Sequence, residues 1–354
     1  MALVNLRAST GDLGAGWAKI SHEELAPSNQ RLLETNASLY QYPYWNEPFR
    51  RMHFSPQYLV YRSQNQPTAY VCILTIGVRG LKIGLVHRGP VNLGSDRPVP
   101  LPPLRYLYEW AKDAGYTFLR FSHSDPEYLE EIAALGYSER TDSFPFYRDL
   151  SEELMIEQVE DDAEMLANFQ PVARRKIKKA SAVGYELSAS DSPEAFEAAW
   201  PLFQRLSKRK GFRYRPLASY LDLIRLARLH QCVRFYVASL KKDPVAAILV
   251  VRDRVNSCYM SGALDTDALQ GLESPSCLLH WRAMRDFYRL GAKHYFLGTR
   301  SGLVYQFKRQ FRPCERVIPP PVILVLNRGS YRLWSAAIRN LLPLWPRFKK
   351  LLFR

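Results

Sequence analysis

Long apolar runs are missing from this chain of 354 residues. No stretch approaches the roughly 20 consecutive apolar residues that a membrane-spanning helix needs. The first residues, MALVNLRASTGD, also lack the apolar centre of a secretory signal peptide. We therefore expect a cytoplasmic protein. With 47% hydrophobic residues, the chain is long enough to form the cores of two domains.

Paired cysteines and metal-ligand spacings are missing as well. The five cysteines form no CxxC pair, and the seven histidines form no HExxH motif. The sequence therefore predicts free thiols and no metal site.

Acidic residues are scarce in the second part of the chain. Residues 1–150 carry 15 basic and 15 acidic side chains, whereas residues 151–354 carry 34 and 19. The whole excess of positive charge therefore lies after residue 150. This asymmetry indicates an anionic partner there, such as a phosphate, a nucleic acid or an acidic membrane.

Two stretches share one pattern at a shift of 177 positions. They are YLVYRSQNQPTAYVCIL, residues 58–74, and FYVASLKKDPVAAILVV, residues 235–251. Each has a run rich in β-branched and aromatic residues, a polar turn with proline and a second apolar run. This pattern is typical of a β-hairpin.

A helix, a glycine and a strand follow each hairpin. Residues 104–121 and 277–297 share this order, and their glycines, Gly115 and Gly291, are 176 positions apart. A glycine at such a place closes a helix in the left-handed conformation. We infer two tandem α+β domains over residues 1–150 and 151–327.

The basic run ARRKIKKA begins just after the predicted boundary. It follows residues 151–164, which hold seven acids and no base. On a helix, Ala173, Ile177 and Ala180 form a narrow apolar stripe. The sequence therefore predicts a helix that packs on the domain and exposes its cations.

Several motifs between residues 170 and 315 come in a characteristic order. They are ARRKIKKASAVGYEL, LFQRLSKRKGFRYRP, RFYVASLKKDPVAAILVV, SCYMSGALD, SPSCLLHWRAM and YQFKRQF. In this order they resemble the FemABX family, whose members add amino acids to peptidoglycan precursors and have two GNAT-like domains in tandem. In the first domain the resemblance rests on LYQYPYW and on the repeat.

The resemblance implies cations that hold the diphosphate of the precursor. The matching positions are Arg174 or Arg175 on the basic helix, and Arg50 or Arg51 after Trp45. An arginine fork binds phosphate through two parallel hydrogen bonds. The alternative for each arginine is a surface ion pair.

The resemblance also implies that Phe307 and Lys308 lie at the acyl-transfer centre. A fixed ammonium stabilises the negative charge that develops on the carbonyl oxygen when an amine attacks an ester. The alternatives are core packing for Phe307 and a surface charge for Lys308. Tyr259 and Trp281 are further pocket candidates, although buried aromatics are more often core residues.

No glycine-rich turn for the pyrophosphate of acetyl-CoA is present. The nearest stretch, ALQGLESPS, has a single glycine. This favours aminoacyl-tRNA as the co-substrate over an acyl-CoA thioester, and no other cofactor is implied. The long helical arm of some family members is missing too, which fits the transfer of a single residue.

The C-terminal tail, residues 328–354, has seven bases and no acid. Its apolar residues follow helical spacing, and Pro343 and Pro346 should break the helix into two pieces. Such a basic amphipathic segment lies on an anionic membrane or packs back onto the protein.

The leading hypothesis is an aminoacyltransferase that moves an amino acid from aminoacyl-tRNA to the side-chain amine of a lipid-linked or nucleotide-linked peptidoglycan precursor. It would be cytoplasmic and in peripheral contact with the inner face of the membrane. One alternative is an N-acyltransferase with a thioester donor that acts on an amino sugar or amino acid. Another is a non-catalytic module that binds nucleic acid or membrane.

Overall fold

The computed structural model describes residues 15–21, 37–78, 80–95, 99–140, 151–300 and 302–341, together with residues 24, 32 and 35. The strands in these ranges are β1 Gly16–Ile20, β2 Ser55–Ser63, β3 Gln66–Val78, β4 Leu81–His87, β5 Val91–Asn92, β6 Phe118–Ser122, β7 Ser138–Arg140, β8 Glu152–Glu157, β9 Glu186–Ser190, β10 Val233–Leu240, β11 Asp243–Arg252, β12 Asn256–Leu264, β13 His294–Phe296, β14 Cys314–Val317 and β15 Val322–Val325.

The helices in the same ranges are α1 Pro43–Asn46, α2 Leu101–Asp113, α3 Pro126–Ala133, α4 Asp162–Asn168, α5 Pro171–Ala182, α6 Pro193–Lys210, α7 Leu217–Ala227, α8 Ser276–Arg289, α9 Gly302–Arg309 and α10 Arg328–Leu341. Short 3-10 segments lie at Leu39–Gln41, Glu47–Met52 and Arg228–His230.

The first sheet contains the hairpin that the sequence predicts over residues 58–74. Strands β2 and β3 pair antiparallel in a sheet of order β1-β2-β3-β4-β6-β15-β7, with β5 beside β3. Strands β4 and β6 pair parallel, and helix α2 lies in the connection between them. Gly115, after α2, has a φ of +76°, which confirms the predicted glycine closure.

The second sheet repeats this arrangement. Its order is β14-β8-β13-β12-β11-β10-β9, with the predicted hairpin formed by β10 and β11. Helix α8 lies between β12 and β13, which pair parallel, and Gly291 after α8 has a φ of +96°. The structure therefore confirms the predicted tandem α+β repeat.

The parallel pair of the second sheet is short. Strand β12 pairs with β13 from Asn256 to Cys258, and further along β12 a bulge leaves Met260 without a partner on β11. A bulge bends the strand that carries it. The pairing between β12 and β13 ends at Cys258 and Phe296, and Tyr259 of the candidate site follows directly on β12.

The basic helix α5 packs as predicted. Ala173, Ile177 and Ala180 are buried in the core cluster that also contains side chains of α8. Arg174 and Lys178 are exposed on the other face of α5. The cations of this helix therefore face solvent from a fixed position.

The C-terminal segment returns to the first sheet. The sequence placed residues 151–327 in the second domain, but β15 lies between β6 and β7. All four side chains of β15 are buried, and both of its edges are paired in the first sheet, with β6 on one side and β7 on the other. Val322–Val325 therefore belongs to the first sheet, although the predicted second domain, residues 151–327, includes it.

Helix α10 covers the strand next to β15. Tyr331 and Trp334 are buried, and their ring centres lie 5.5 Å and 5.9 Å from that of Phe118 in β6. The Tyr331 hydroxyl donates to Glu139 at 2.6 Å. The first half of the predicted tail thus packs on the protein. Residues 342–354, with both predicted helix-breaking prolines, lie outside the described residues.

The two halves share one apolar core. A single cluster of buried side chains contains Trp45 and Phe49 from the first half and Phe203 and Leu249 from the second. Helix α7 packs against the segment Glu47–Met52 in the same region. The halves are therefore held in a fixed relation by buried apolar surface.

Candidate active site at the domain junction

Lys308 is a buried cation at the end of helix α9. The residue is 6% exposed, and its Nζ donates to the Thr299 carbonyl oxygen at 2.7 Å. No carboxylate in the described ranges forms an ion pair with it. Burial lowers the pKa of Lys308, against a smaller opposite effect of Cys258. The alternative of an ordinary surface lysine does not fit this burial.

His280 joins three of the predicted site residues. Its ring centre lies 5.5 Å from that of Phe307 and 4.7 Å from that of Tyr259. The positive charge of Lys308 also lowers the pKa of His280. The structure therefore brings Lys308, Phe307 and Tyr259 together around one imidazole. Trp281 lies on the same helix but packs against Phe169, at 5.9 Å between ring centres.

His280 itself is neutral. Its Nδ1 lies 2.8 Å from the Tyr295 hydroxyl, and burial together with the charge of Lys308 lowers its pKa to about 3. The motif SPSCLLHWRAM contains this histidine, but its spacing carried no signal. Only the fold shows that it borders Lys308.

Charged groups from both halves converge near Cys258. Arg88, from the first sheet, forms an ion pair of 2.6 Å with Glu153 of β8. Both charges affect the pKa of the Cys258 thiol, and so does the charge of Lys308. Burial raises the pKa of Cys258 to about 12, so it stays a thiol and is no nucleophile at neutral pH.

A second cationic feature surrounds Trp45. The guanidinium of Arg215 lies 5.1 Å from the centre of the Trp45 ring system and 4.5 Å from that of Phe49. Arg215 Nη1 is buried and has no hydrogen-bond partner among the described residues, and neither has Trp45 Nε1. The aromatic faces hold this cation and leave its donors for an anion. Arg215 belongs to the motif FRYRP, but no local pattern marks it as a site residue.

The predicted phosphate ligands lie apart from one another. Arg50 pairs with Glu47 at 2.6 Å, and Arg51 pairs with Asp222 of α7 at 2.7 Å. Arg174 donates to the Ala167 carbonyl at 3.1 Å, and Arg175 is exposed beside it on α5. Arg50 and Arg51 thus border the junction that holds Arg215, whereas α5 packs in the core of the second domain. Phosphate binding by these four arginines stays a prediction.

Solved structures share this architecture along most of the chain. The crystal structure of FemX matches with a TM-score of 0.73 at 13% identity, covering 90% of this chain and 99% of that one. The chain has the tandem GNAT fold of FemX. A conserved protein of unknown function from Bacteroides thetaiotaomicron matches with a TM-score of 0.62 at 9% identity, covering 88% and 99%. This likeness confirms the predicted fold class.

A third structure that matches along most of the chain is the C-terminal domain of a putative lysylphosphatidylglycerol synthetase from Agrobacterium fabrum. It matches with a TM-score of 0.53 at 13% identity, covering 90% of this chain and 97% of that one. A family profile described as an acetyltransferase (GNAT) domain matches residues 167–309. This match confirms the prediction of an acyltransferase. No curated protein sequence matches the chain.

The matched residues 167–309 contain Lys308, Phe307, His280 and Tyr259. The arrangement around Lys308 can stabilise an anion on a substrate oxygen, because the ammonium is fixed and poorly solvated. None of the helices in the described part of the chain combines the length and apolarity needed to cross a bilayer.

Proposed function

We propose that this tandem GNAT protein transfers an amino acid from aminoacyl-tRNA to the side-chain amine of a peptidoglycan precursor. The observation that carries the proposal is the buried ammonium of Lys308, fixed by the Thr299 carbonyl in the acetyltransferase domain. The full-length fold likeness to FemX supports it.

The transfer has one intermediate in which Lys308 acts. The acceptor amine attacks the carbonyl carbon of the aminoacyl ester, a C–N bond forms, and the carbonyl oxygen becomes an oxyanion. The Lys308 ammonium stabilises this charge more than it stabilises the uncharged ester. When the intermediate collapses, the C–O bond to the ribose breaks. The ribose oxygen leaves with the proton that the amine has lost.

Phe307 and Tyr259 shape the wall of this centre. Both rings pack against His280, and none of these three side chains is charged at neutral pH. A low-polarity wall strengthens the attraction between the ammonium and the oxyanion. It also keeps out water, which would hydrolyse the ester.

The surface around Arg215 fits the diphosphate of the acceptor. Its buried Nη1 lacks a hydrogen-bond partner among the described residues, and an unsatisfied buried donor is costly unless a ligand completes it. Arg50 and Arg51 stand nearby on the segment Glu47–Met52, where their ion pairs with Glu47 and Asp222 balance their charges. A phosphate group would accept a hydrogen bond from the unsatisfied Nη1 of Arg215.

A thioester donor is the second candidate, because the family profile that matches is that of an acetyltransferase domain. The sequence ALQGLESPS before α8 argues for the tRNA ester instead, since it lacks a glycine-rich turn for pyrophosphate. We place the reaction on the cytoplasmic side of the membrane, where lipid-linked precursors are assembled.

The test supplies the purified protein with a labelled donor and a nucleotide-linked precursor. We expect transfer from aminoacyl-tRNA that ribonuclease treatment abolishes. Transfer from acetyl-CoA alone would replace this proposal with the second candidate. Lys308→Met should slow turnover by about 10²–10³-fold. The control Lys293→Met removes an exposed lysine and should leave the rate unchanged.

A further inference from the structure

A cavity of about 260 Å³ lies between the two sheets, and its lining contains neither Lys308 nor Arg215. Arg88 and His123 enter its wall from the ends of β4 and β6 of the first sheet. Asn256, Phe296 and Arg316 enter it from strands β12, β13 and β14 of the second. Its shape therefore depends on both halves of the chain.

The lining of this cavity is positively charged. It includes Arg88 and Arg316, and no aspartate or glutamate is among the described residues that line it. Glu153 balances the charge of Arg88 from outside the lining. The guanidinium of Arg316 adds a further positive charge, which also lowers the pKa of His294. The described residues that line the cavity thus include two guanidinium groups and no carboxylate, and Glu153 is paired with one of the two.

His123 adds a hydrogen-bond donor to the same wall. Its Nδ1 accepts from the backbone N–H of Asp125 at 3.1 Å. In a neutral imidazole the other nitrogen, Nε2, then carries the proton. Ser38 and Ser124 contribute hydroxyls to the lining. Guanidinium, imidazole and hydroxyl donors around one space match an acceptor with several oxygens and a negative charge.

Arg88 connects the cavity to the acyl-transfer centre. It lines the cavity, and its partner Glu153 acts on Cys258, which the charge of Lys308 also reaches. A group bound in the cavity would therefore lie one ion pair away from the residues around Lys308.

We propose that this cavity binds a phosphoryl group of one of the two substrates, at a site separate from the Arg215 surface. The link to a substrate rests on the proposed function. A phosphoryl group suits the space better than a carboxylate, because it offers more acceptor oxygens to donors that come from two opposite walls.

The experiment measures binding of inorganic pyrophosphate by calorimetry. The protein carries Arg215→Met, which removes the unsatisfied guanidinium of the other cationic surface. We expect Arg316→Met to weaken binding about tenfold or more, as expected for the loss of one charged hydrogen-bond donor. Ser124→Tyr should fill the cavity and abolish binding without a change of charge. Arg289→Met is the matched control, since it removes an exposed arginine on α8 and should leave the affinity unchanged.

The absence of pyrophosphate binding in the Arg215→Met background, or equal loss in Arg316→Met and Arg289→Met, would overturn the cavity site. Competition by uridine diphosphate would assign the phosphoryl group to the acceptor, and competition by an RNA ending in CCA would assign it to the donor. Competition by neither would overturn the link to the reaction. Binding needs no turnover, so an active enzyme that fails to bind overturns the cavity alone, and a binding but inactive enzyme overturns the proposed function alone.

Discussion

Arg88 and Glu153 join the two halves of the molecule through an ion pair of 2.6 Å, with side-chain exposures of 20% and 7%. Breaking such a buried pair from one side leaves a buried charge without its partner. We expect Glu153→Gln to lower the free energy of unfolding by about 3–5 kcal/mol. Urea denaturation measures the change.

The control for this pair is Glu315→Gln. Glu315 pairs with Arg300 at the surface, where both side chains are more than 40% exposed. The loss should be about 1 kcal/mol or less there. Equal losses of unfolding free energy in the two variants would show that the Arg88–Glu153 pair stabilises the protein no more than a surface ion pair does.

The pH dependence of turnover should reveal Lys308. Burial lowers its pKa below the ordinary lysine value of about 10.4, and the ammonium is lost as the pH rises through the lowered value. The rate should therefore fall on the alkaline side at a lower pH than the titration of an exposed lysine would produce. In Lys308→Arg the guanidinium stays protonated, so the fall should move to higher pH.

The acceptor amine also titrates, but it does so identically in the wild type and in Lys308→Arg. The difference between the two pH profiles therefore isolates Lys308. If the two pH–rate profiles have the same alkaline limb, the Lys308 ammonium takes no part in the chemical step.

Arg215 should affect binding of the acceptor more than the chemical step. In Arg215→Met the phosphate loses a charged donor worth about 1.5–3 kcal/mol, so KM for the precursor should rise about tenfold or more. The value of kcat should stay within about twofold, because the contact is the same in the ground and transition states. Arg228→Met, an exposed arginine after α7, is the control. A fall in kcat with KM unchanged would contradict the assignment.

Stability should decrease in acid because two buried histidines resist protonation. Burial lowers the pKa of His280 and of His87 to about 3, against 6.5 for an exposed histidine. Between these values the unfolded chain binds protons that the folded chain does not. Each histidine therefore costs about 1.4 kcal/mol for every pH unit below 6.5, until the pH reaches about 3.

The variant His280→Asn tests this acid effect. Its unfolding free energy, measured in urea at pH 6.5, 5.5 and 4.5, should fall less steeply with pH by about 1.4 kcal/mol per unit. All other groups titrate alike in both proteins. An unchanged slope would mean that His280 is protonated in the folded state.

The end of the tail should contribute to membrane binding. A deletion that starts at Pro321 would also remove β15 from the first sheet. The deletion that tests the tail therefore starts after Leu341. Residues 342–354 carry four cations, each worth about 1 kcal/mol at an anionic surface. Deleting them should weaken binding to vesicles with anionic lipid by at least tenfold, with little change on neutral vesicles. Undiminished binding would assign the contact to another surface.

Local pattern predicted much of the fold. The two hairpins, the apolar stripe of α5 and the glycines that close α2 and α8 depend on neighbours in the sequence, so periodicity and turn chemistry were enough. The path of β15 was missed, because a short apolar run does not show which sheet it joins.

The candidate site residues Lys308 and Phe307 were predicted from the resemblance to a family and not from a local pattern, and their part in catalysis stays a prediction. Arg215 and Trp45 come from distant parts of the chain, and nothing in either segment indicates the other. The same holds for His280, whose role depends on a lysine that only the fold brings near. Such pairs arise from packing between elements, which a single sequence does not encode in any local pattern.

The position of β15 also sets the order in which the molecule can be completed during synthesis. Strands β8 to β14 form the second sheet from one continuous stretch, which the ribosome finishes before it reaches Val322. The first sheet must wait with the site between β6 and β7 open until that strand emerges. The C-terminal half is thus able to fold first, and until Val322–Val325 has been made the first sheet offers the unpaired edges of β6 and β7 to aggregation or to a chaperone.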